Sequence, residues 1–382
     1  MKCSGIDALT GEAVEITAEG GAITAVEPLL GAPRGLRWLA PGFIDLQVNG
    51  FAGADYCGPE TTQEAIARSL EALFATGVTR IFATVITGPR EAMLAAIRNL
   101  ARARRELPHG RAIEAVHVEG PFISPHDGPR GAHPRQHVRP PDIDEFRRWQ
   151  EAAEGLVRLV TVSPEWPGAP AFIEALTSEG VVAAIGHLDA TAEQIDAAVR
   201  AGARLSTHLG NGSHAQLPRH PNYLWQQLAD DRLAASFIVD GIHLDTAFLR
   251  VALRAKGIER SVLITDAVAP AGCEPGPYRL GAVDVELHPE GRVTLRGTDR
   301  LAGSALRMDR GVENLMRLAG LTLPEALTMA ARNPARVGRV EHRLRGLQPG
   351  ERADIVEFDY DAASRSIRVT RTWLEGELVF AA

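Results

Sequence analysis

Eight short apolar segments separated by helical patterns constrain the fold of this 382-residue chain more than any other feature. Helical periodicity fills the stretches between them, and in one of these Thr191 and Gln194 have the spacing of a capping box. Near-continuous apolar strands that alternate with helices predict a (β/α)8 barrel. A doubly wound open sheet is the alternative, because local patterns do not show closure. The eight segments are FIDLQV, RIFATVI, IEAVHVE, VRLVTVS, VVAAIGH, RLSTH, AASFIVD and SVLITD.

The two ends of the chain have a different residue pattern. Short apolar runs alternate there with glycines and turn residues, which is typical of strands and hairpins. Neither end is long enough to bury a core alone. We therefore predict one small β-sandwich domain built from residues 1–40 and 346–382, and a barrel over residues 41–345. Within the barrel, VELHPEGRVTLRG predicts an inserted hairpin, and MDRGVENLMRLAG and LPEALTMAARN predict closing helices.

Charge and cysteine content narrow the class of protein. The net charge of −7 gives no basic footprint for nucleic acid. No stretch approaches the length of a membrane span, and the first residues lack the apolar region of a signal peptide. Three scattered cysteines do not form a disulfide framework or a zinc knuckle. We expect a cytoplasmic protein that binds neither membranes nor nucleic acid.

Four of the apolar segments end in a polar side chain that suits a metal site. Glu119, His187 and His208 end the third, fifth and sixth segments, and Asp266 ends the eighth. Each residue alone is more simply a loop glutamate, a structural histidine or a helix N-cap. Together, at the ends of different barrel strands, they predict a divalent cation held by Glu119, His187 and His208. Asp266 would be the general base and acid of a metal-dependent hydrolase.

Further polar residues lie near the same predicted rim. His133 follows the loop GPRGA and could polarise a carbonyl group, and His243 follows the seventh strand. Asn211, Arg219 and His220 lie in the loop NGSHAQLPRHPN, which could hold an anion. Taken alone, His133 and Arg219 are more simply solvated loop residues, and the glycines near Asn211 are too irregular for a phosphate-binding loop.

Eight strings, in this order, resemble the N-acetylglucosamine-6-phosphate deacetylases of the amidohydrolase superfamily. The resemblance covers nearly the whole chain, and the ordered set is specific although each string alone is weak. The strings are PGFIDLQVNG, HVEGPFISP, GAHP, GHLDAT, THLGN, DGIHLD, TDAVAPAG and AGSALRMDRGVENL.

The resemblance implies one divalent metal ion per subunit on Glu119, His187 and His208. Zinc is the expected ion, with iron, manganese and cobalt also possible. Asp266 would be the general base and acid for attack by a metal-activated water, and His133 would help to polarise the acetamide carbonyl. The products would be glucosamine 6-phosphate and acetate.

The resemblance also implies how the sugar phosphate is held. Asn211, the Gly212 backbone, Arg219 and His243 would bind it, and the loop arginine of the family reaches the site of a neighbouring subunit. The expected substrate is a small amino-sugar phosphate, and the expected assembly is a homodimer.

The chain departs from the family pattern after His208. The family has a bulky residue and then Asn-Ala-Met at this place, whereas this chain has Leu209 to Ser213, LGNGS, and its loop between Glu119 and His133 is slightly longer. N-acetylgalactosamine 6-phosphate and unphosphorylated N-acetylhexosamines therefore stay open as substrates.

The end of the first barrel strand bears on the number of metal ions. Many amidohydrolases have His-x-His there to bind a second metal, but in this chain Gln47 and Asn49 stand at these positions. Amide side chains are weaker ligands than imidazoles for transition metals, so the strand favours a single metal.

Two rival functions stay open. An N-acyl-amino-acid hydrolase or a cyclic-amide hydrolase is the enzymatic rival, because the predicted metal and base would suit any amide. A non-catalytic barrel that binds a partner is the rival from a different class, since a fold does not imply a function.

Overall fold

The computed structural model describes residues 1–31, 35–281 and 283–382. In chain order the strands are β1 (Lys2–Asp7), β2 (Ala13–Glu19), β3 (Ala22–Pro28), β4 (Trp38–Pro41), β5 (Phe43–Val48), β6 (Gly50–Phe51), β7 (Ala54–Asp55), β8 (Val78–Ile86), β9 (Ile113–Glu119), β10 (Val157–Val162), β11 (Val182–Ile185), β12 (Leu205–Ser206), β13 (Ala234–Ile238), β14 (Ser261–Ile264), β15 (Gly276–Leu280), β16 (Val283–Leu287), β17 (Arg292–Leu295), β18 (Leu301–Ser304), β19 (Ile355–Asp361), β20 (Ser366–Leu374) and β21 (Glu377–Ala381). The helices are α1 (Gln63–Phe74), α2 (Arg90–Glu106), α3 (Ile143–Ala152), α4 (Ala169–Ser178), α5 (Ala192–Ala201), α6 (Tyr223–Ala229), α7 (Thr246–Lys256), α8 (Met308–Asn314), α9 (Leu323–Leu327) and α10 (Asn333–Val337).

Eight parallel strands form a nearly closed barrel, as predicted. Their order is β5-β8-β9-β10-β11-β12-β13-β14, so each strand lies beside the next one in the chain. The first and last strands meet at their carboxyl ends, where the Asp266 amide donates to the Gln47 carbonyl at 3.0 Å. Most of these strands are buried on both faces because helices cover the outside. The carboxyl ends of the strands therefore converge on one rim, where polar side chains can meet.

The barrel helices follow the predicted patterns. Helix α1 buries Ile66, Leu70 and Leu73 along one face, as an amphipathic surface helix should. Helix α5 begins with the predicted capping box, in which Thr191 and Gln194 satisfy each other's backbone amides. The two predicted closing helices are α8 and α9, each continued by a π-helical turn, at Leu315–Ala319 and Thr328–Arg332 respectively. A further short helix, α10, follows the second turn directly.

The two ends of the chain form a separate, mainly antiparallel sheet. Its order is β21-β20-β19-β4-β1-β2-β3, and the central pairing of β19 with β4 joins the C-terminal strands to the N-terminal ones. Ile16, Leu39, Ile355 and Trp373 belong to one apolar cluster that draws on both ends. The fold class is thus confirmed: a parallel barrel with a small β module built from both termini. The exact domain boundaries stay a prediction.

A buried ion cluster connects the β module to the bottom of the barrel. Asp354, just before β19, accepts from Arg80 Nε at 2.7 Å and from Arg343 Nη1 at 2.5 Å. Arg80 also donates to Glu375 at 2.7 Å and lies 3.5 Å from Glu114. Arg80 and Glu114 are near the amino ends of β8 and β9, on the side of the barrel opposite to the polar rim. This end of a barrel serves stability rather than chemistry.

The predicted inserted hairpin is part of a four-stranded antiparallel sheet, β15-β16-β17-β18. The last strand returns to the barrel rim, where the Ser304 amide donates to the Asp266 carbonyl at 3.1 Å. Between β17 and β18, Arg300 donates to the carbonyl of Gly131 in the loop after β9. The inserted sheet therefore packs beside the rim and supports two of the segments that build it.

In the part of the chain that the structure describes, no helix combines the length and apolar character needed to cross a membrane.

Candidate active site

The backbone turns sharply at three of the four predicted strand ends. His187, His208 and Asp266 each lie two residues beyond their strands and have φ angles of 50°, 31° and 51°. Residues other than glycine rarely adopt these left-handed φ angles, and each such residue costs on the order of 1–3 kcal/mol of stability. Such strain persists where the surroundings hold it, and it concentrates at functional sites. Here it aims two imidazoles and one carboxylate over the barrel mouth.

Glu119, His187 and His208 converge on one point at the rim. The Glu119 Oε1 atom lies 2.7 Å from His208 Nε2 and 3.3 Å from His187 Nε2, and the two Nε2 atoms are 3.1 Å apart. Ligands bonded to one tetrahedral ion at about 2.0–2.1 Å are about 3.3 Å from each other. The three atoms thus have nearly the spacing of one face of a coordination tetrahedron. All three side chains are buried.

The chemistry of this donor set fits a divalent cation. Burial alone would raise the pKa of the Glu119 carboxyl, but His187 and His208 lower it well below its usual range. Among the described residues, no lysine or arginine pairs with this buried carboxylate. A buried anion of this kind needs a positive partner. Two imidazole nitrogens and one carboxylate oxygen suit zinc and related transition metals.

The protonation of His187 also suits a metal ligand. Its Nδ1 lies 2.7 Å from the Pro129 carbonyl, which can only accept, so Nδ1 carries a proton and Nε2 is the nitrogen left to face a cation. Metal-binding histidines commonly donate their second nitrogen in this way. Gly212 packs against the same ring: an added Cβ would lie 2.6 Å from His187 Nδ1. The close approach explains why glycine stands at this position of the loop.

His133 lies beside this group. Its ligand atom and those of Glu119 and His187 are all within 4.8 Å of one another, and its ring centroid is 4.5 Å from that of His187. Its Nδ1 is 2.8 Å from the Thr87 hydroxyl oxygen. Burial lowers the pKa of His133 to about 3, so the imidazole is neutral at physiological pH. His133 can therefore face a ligand as a neutral donor or contribute a fourth metal ligand.

Asp266 is held by two amides of the first barrel strand. Its Oδ1 accepts from Gln47 Nε2 at 3.0 Å and from Asn49 Nδ2 at 2.6 Å, and Gln47 Nε2 is also 2.9 Å from Glu119. Burial, reinforced by the Glu119 charge, raises the pKa of Asp266 to about 6. In the described part of the chain, Oδ2 has no hydrogen-bond partner. One carboxylate oxygen is thus fixed and the other is free for a ligand.

The predicted phosphate-binding residues are spread around the mouth. Asn211 stays on the loop that begins at His208, where its Nδ2 donates to the His208 carbonyl at 3.3 Å. His243 lies beyond β13, and its Nδ1 is 2.6 Å from Asp240 Oδ2. Arg219 is exposed and forms no ion pair within the described residues. The structure brings Asn211 and His243 to the rim, whereas the Arg219 side chain has no hydrogen-bond or ion-pair partner among the described residues.

The sequence prediction missed the role of polar residues inside the first strand. Gln47 and Asn49 stood out only because they replace imidazoles, yet their amides hold Asp266 and, for Gln47, Glu119. The alternation of Asp45 and Gln47 with apolar residues was visible in the sequence, but it does not indicate where their side chains lie. Ile44 and Leu46 face the barrel interior, so simple alternation would place Gln47 on the outer face of the strand. The register of β5 is irregular between Asp45 and Val48, and the Gln47 amide reaches the rim at this irregularity. His117 and Thr87 had no comparable signal.

Known proteins resemble this chain over nearly its whole length. The family model described as the amidohydrolase family matches residues 38–379. An N-acetylglucosamine-6-phosphate deacetylase of Vibrio furnissii is 32% identical over 97% of this chain and 92% of its own length. An N-acetylgalactosamine-6-phosphate deacetylase of Escherichia coli O157:H7 is 32% identical over 94% of this chain and 92% of its own.

A solved structure from Mycobacterium smegmatis shows the same fold. It is a variant of N-acetyl-D-glucosamine-6-phosphate deacetylase in complex with N-acetyl-D-glucosamine 6-phosphate, 33% identical to this chain. The TM-score is 0.87, and the alignment covers 99% of this chain and 98% of that one.

Proposed function

This chain belongs to the amidohydrolase family and is a hydrolase acting on an amide bond, and we propose that it removes the acetyl group of N-acetylglucosamine 6-phosphate. The products are glucosamine 6-phosphate and acetate. The observation that carries the proposal is the convergence of Glu119 Oε1, His187 Nε2 and His208 Nε2 within 3.3 Å of one another. Beside this group lies a buried aspartate with one free oxygen. The relatives from Vibrio furnissii and Escherichia coli O157:H7, each of which matches more than nine-tenths of this chain, are named as deacetylases of amino-sugar phosphates.

The proposed cation ligands are Glu119, His187 and His208. Their mutual distances are close to those of tetrahedral edges, and His187 is fixed in the ligand tautomer. A divalent ion here, with zinc the expected one, would make water nucleophilic near neutral pH and polarise the amide carbonyl. Gln47 and Asn49 provide amide groups, not imidazoles, at the end of the first barrel strand, where a second ion would bind. We therefore propose one ion per subunit.

Asp266 is the proposed proton carrier. Gln47 and Asn49 fix its Oδ1, so Oδ2 is the oxygen that takes the proton from the attacking water. The same oxygen then passes this proton to the departing amine, which is too basic to leave as an anion. The two amides keep the carboxylate in one orientation for both transfers.

His133 is proposed to face the acetamide carbonyl oxygen. The Thr87 hydroxyl can donate to Nδ1 at 2.8 Å, which leaves the imidazole proton on Nε2. A neutral Nε2–H group is a hydrogen-bond donor of the kind that stabilises charge developing on a carbonyl oxygen. Arg130, whose Nη1 donates to the His133 carbonyl at 2.6 Å, holds the backbone of this loop.

Asn211, the Gly212 amide, His243 and Arg219 are the proposed binding groups for the sugar phosphate. Arg219 is exposed and free of ion pairs in the described chain, as expected of a side chain that completes the site of a neighbouring subunit. We therefore propose a homodimer in which each loop serves the other site. We also propose a cytoplasmic enzyme, since all three cysteines are free.

N-acetylgalactosamine 6-phosphate is the second candidate substrate. One relative at 32% identity over 94% of this chain is named for that sugar. The loop at Leu209 to Ser213, which departs from the family pattern, packs against His187 through Gly212 and would therefore border a sugar bound at the cation. Acetate release from both phosphorylated sugars, from N-acetylglucosamine and from an N-acyl amino acid tests the assignment. Selective turnover of N-acetylglucosamine 6-phosphate supports it, and faster turnover of any other compound replaces it.

Arg219→Ala is expected to separate phosphorylated from unphosphorylated sugars. Loss of a charge-assisted hydrogen bond to phosphate should raise KM for N-acetylglucosamine 6-phosphate by about 10- to 100-fold. The rate with N-acetylglucosamine, which has no phosphate, should change little. Steady-state kinetics with both sugars measures the difference. Arg254→Ala is the matched control, because Arg254 is also exposed and unpaired among the described residues. Equal losses for both sugars would remove Arg219 from phosphate binding.

A further inference from the structure

Three buried polar side chains form a hydrogen-bonded chain across the barrel interior. His117 Nε2 lies 2.8 Å from Thr161 Oγ1, and Thr161 Oγ1 lies 2.8 Å from Thr207 Oγ1. At the other end, His117 Nδ1 lies 3.2 Å from the Leu46 carbonyl. All three side chains are at most 3% exposed. None of them belongs to the cation ligands or to the proposed proton carrier.

The direction of every bond in this chain follows from its one fixed end. The Leu46 carbonyl can only accept, so His117 donates from Nδ1 and its Nε2 carries a lone pair. Thr161 must then donate to His117 Nε2, which leaves its oxygen free to accept from Thr207. With the Leu46 carbonyl as the acceptor from Nδ1, each bond between the three side chains has one direction.

Each cation ligand lies one or two residues in sequence from a member of this hydrogen-bonded network or from a glycine that packs against it. His117 is two residues before Glu119, on the same face of β9 and about 7 Å deeper in the barrel. Thr207 immediately precedes His208. Gly186, immediately before His187, is so close to Thr207 and Thr161 that an added Cβ would lie 2.8 Å and 3.0 Å from their side chains. The network of His117, Thr161 and Thr207 therefore lies directly beneath the three ligands, and we call it the floor of the site.

Packing alone does not account for polar residues at this level. One layer deeper, two residues before each member, the barrel interior is apolar and contains Ala115, Leu159 and Leu205. Apolar side chains could fill the next layer as well, without the cost of desolvating polar groups. A fully satisfied hydrogen-bonded network has instead the property of fixing one arrangement of its members.

We propose that His117, Thr161 and Thr207 are positioning residues, which set the geometry of Glu119, His187 and His208 for the cation. The inference rests on the proposed metal-dependent function and extends it one layer inward. The floor ties β5, β9, β10 and the segment after β12 together, so that the strained turns at His187 and His208 keep their ligand orientation.

Thr161→Val and Thr161→Ser test the proposal with the purified full-length protein. Valine keeps the shape but breaks both bonds of the central hydroxyl, whereas serine keeps the hydroxyl. Each protein is freed of metal with a chelator and then titrated with Co²⁺ in the absence of substrate. The dissociation constant and the visible absorption spectrum of the bound ion are recorded. Thr161→Val should weaken Co²⁺ binding by about tenfold, at the lower end of the effect of outer-shell partners, and alter the spectrum. Thr161→Ser should restore both.

Two further variants keep the test decisive. Thr207→Val removes only the terminal donor and leaves the Thr161 bond to His117 intact, so its effect on Co²⁺ binding should be smaller. This variant replaces Thr161→Val in the test if Thr161→Val does not fold. Thr372→Val is the matched control: it deletes a buried 2.7 Å bond from β20 of the β module to the Phe74 carbonyl at the end of α1, and it should leave the Co²⁺ spectrum unchanged. Parent-like affinity and spectrum in the valine variants would overturn the positioning role. Failure of the parent itself to bind Co²⁺ would overturn the proposed function as well.

Discussion

Asp266→Asn is expected to lower kcat for N-acetylglucosamine 6-phosphate by about 10²- to 10⁴-fold, the contribution of a positioned acid–base group. Asparagine has the same shape, and its carbonyl oxygen can still accept from Gln47 and Asn49 at the place of Oδ1. The atom that changes is Oδ2, which becomes an amide nitrogen that cannot accept a proton from water. Metal content and sugar binding should therefore persist while turnover is lost. Steady-state kinetics together with metal analysis checks this.

The matched control for this substitution is Asp245→Asn. Asp245 also lies beyond the end of a barrel strand, where it caps α7 by accepting from the Phe248 amide at 2.9 Å. Asparagine caps a helix as well as aspartate does, so this variant should keep its kcat. If Asp266→Asn turned over substrate at a rate near that of the parent, Asp266 would not be the proton carrier.

Asp354→Asn is expected to lower the free energy of unfolding by about 3–5 kcal/mol, the effect of removing one partner from a buried ion pair. Burial alone would raise the pKa of Asp354, but Arg80 and Arg343 lower it to about 2. Both guanidiniums are at most 2% exposed, so they would keep their charge in the barrel without this carboxylate. Urea unfolding of the parent and the variant measures the loss.

The pH dependence of this effect has a definite sign. The folded pKa of Asp354 is depressed, so its contribution is complete above its ordinary value of 3.8 and is lost as the pH falls toward about 2. The difference between parent and variant should therefore shrink on acidification. Asp359→Asn is the control, because Asp359 is 42% exposed and pairs with Arg37 and Arg368 at the surface. Surface pairs contribute at most about 1 kcal/mol. Equal losses in both variants would contradict a special role for the buried cluster.

The fold was largely predictable because its signals are local. Strands such as β5 and β9 have the predicted bounds, since a short run rich in apolar residues and bounded by turn residues indicates a buried strand. The capping box at Thr191 fixed the start of α5 in the same way. The attachment of the β module was less predictable. Arg80 and Asp354 are 274 residues apart, and no local pattern indicates that they pair.

The sequence was sufficient to predict which residues meet at the site. It was not sufficient to predict which contacts hold their side chains in place. Glu119, His187, His208 and Asp266 stand at strand ends, and the barrel brings such positions to one rim. The left-handed turns at three of them are invisible in the sequence, because none is a glycine. The bonds from Gln47 to Glu119 and Asp266 depend on side-chain directions across the closed barrel. Contacts of this kind follow only from the three-dimensional register of the strands.

Acetate release from N-acetylglucosamine 6-phosphate before and after removal of the cation tests the central claim most directly. The protein is treated with a chelator, assayed, and assayed again after one equivalent of Zn²⁺ per subunit is restored. We expect release by the metal-loaded protein, loss of release after chelation and recovery on reconstitution, since Glu119, His187 and His208 would hold the ion. Undiminished release by fully metal-free protein, or no release by protein with the ion demonstrably bound, would contradict metal-dependent deacetylation of this sugar.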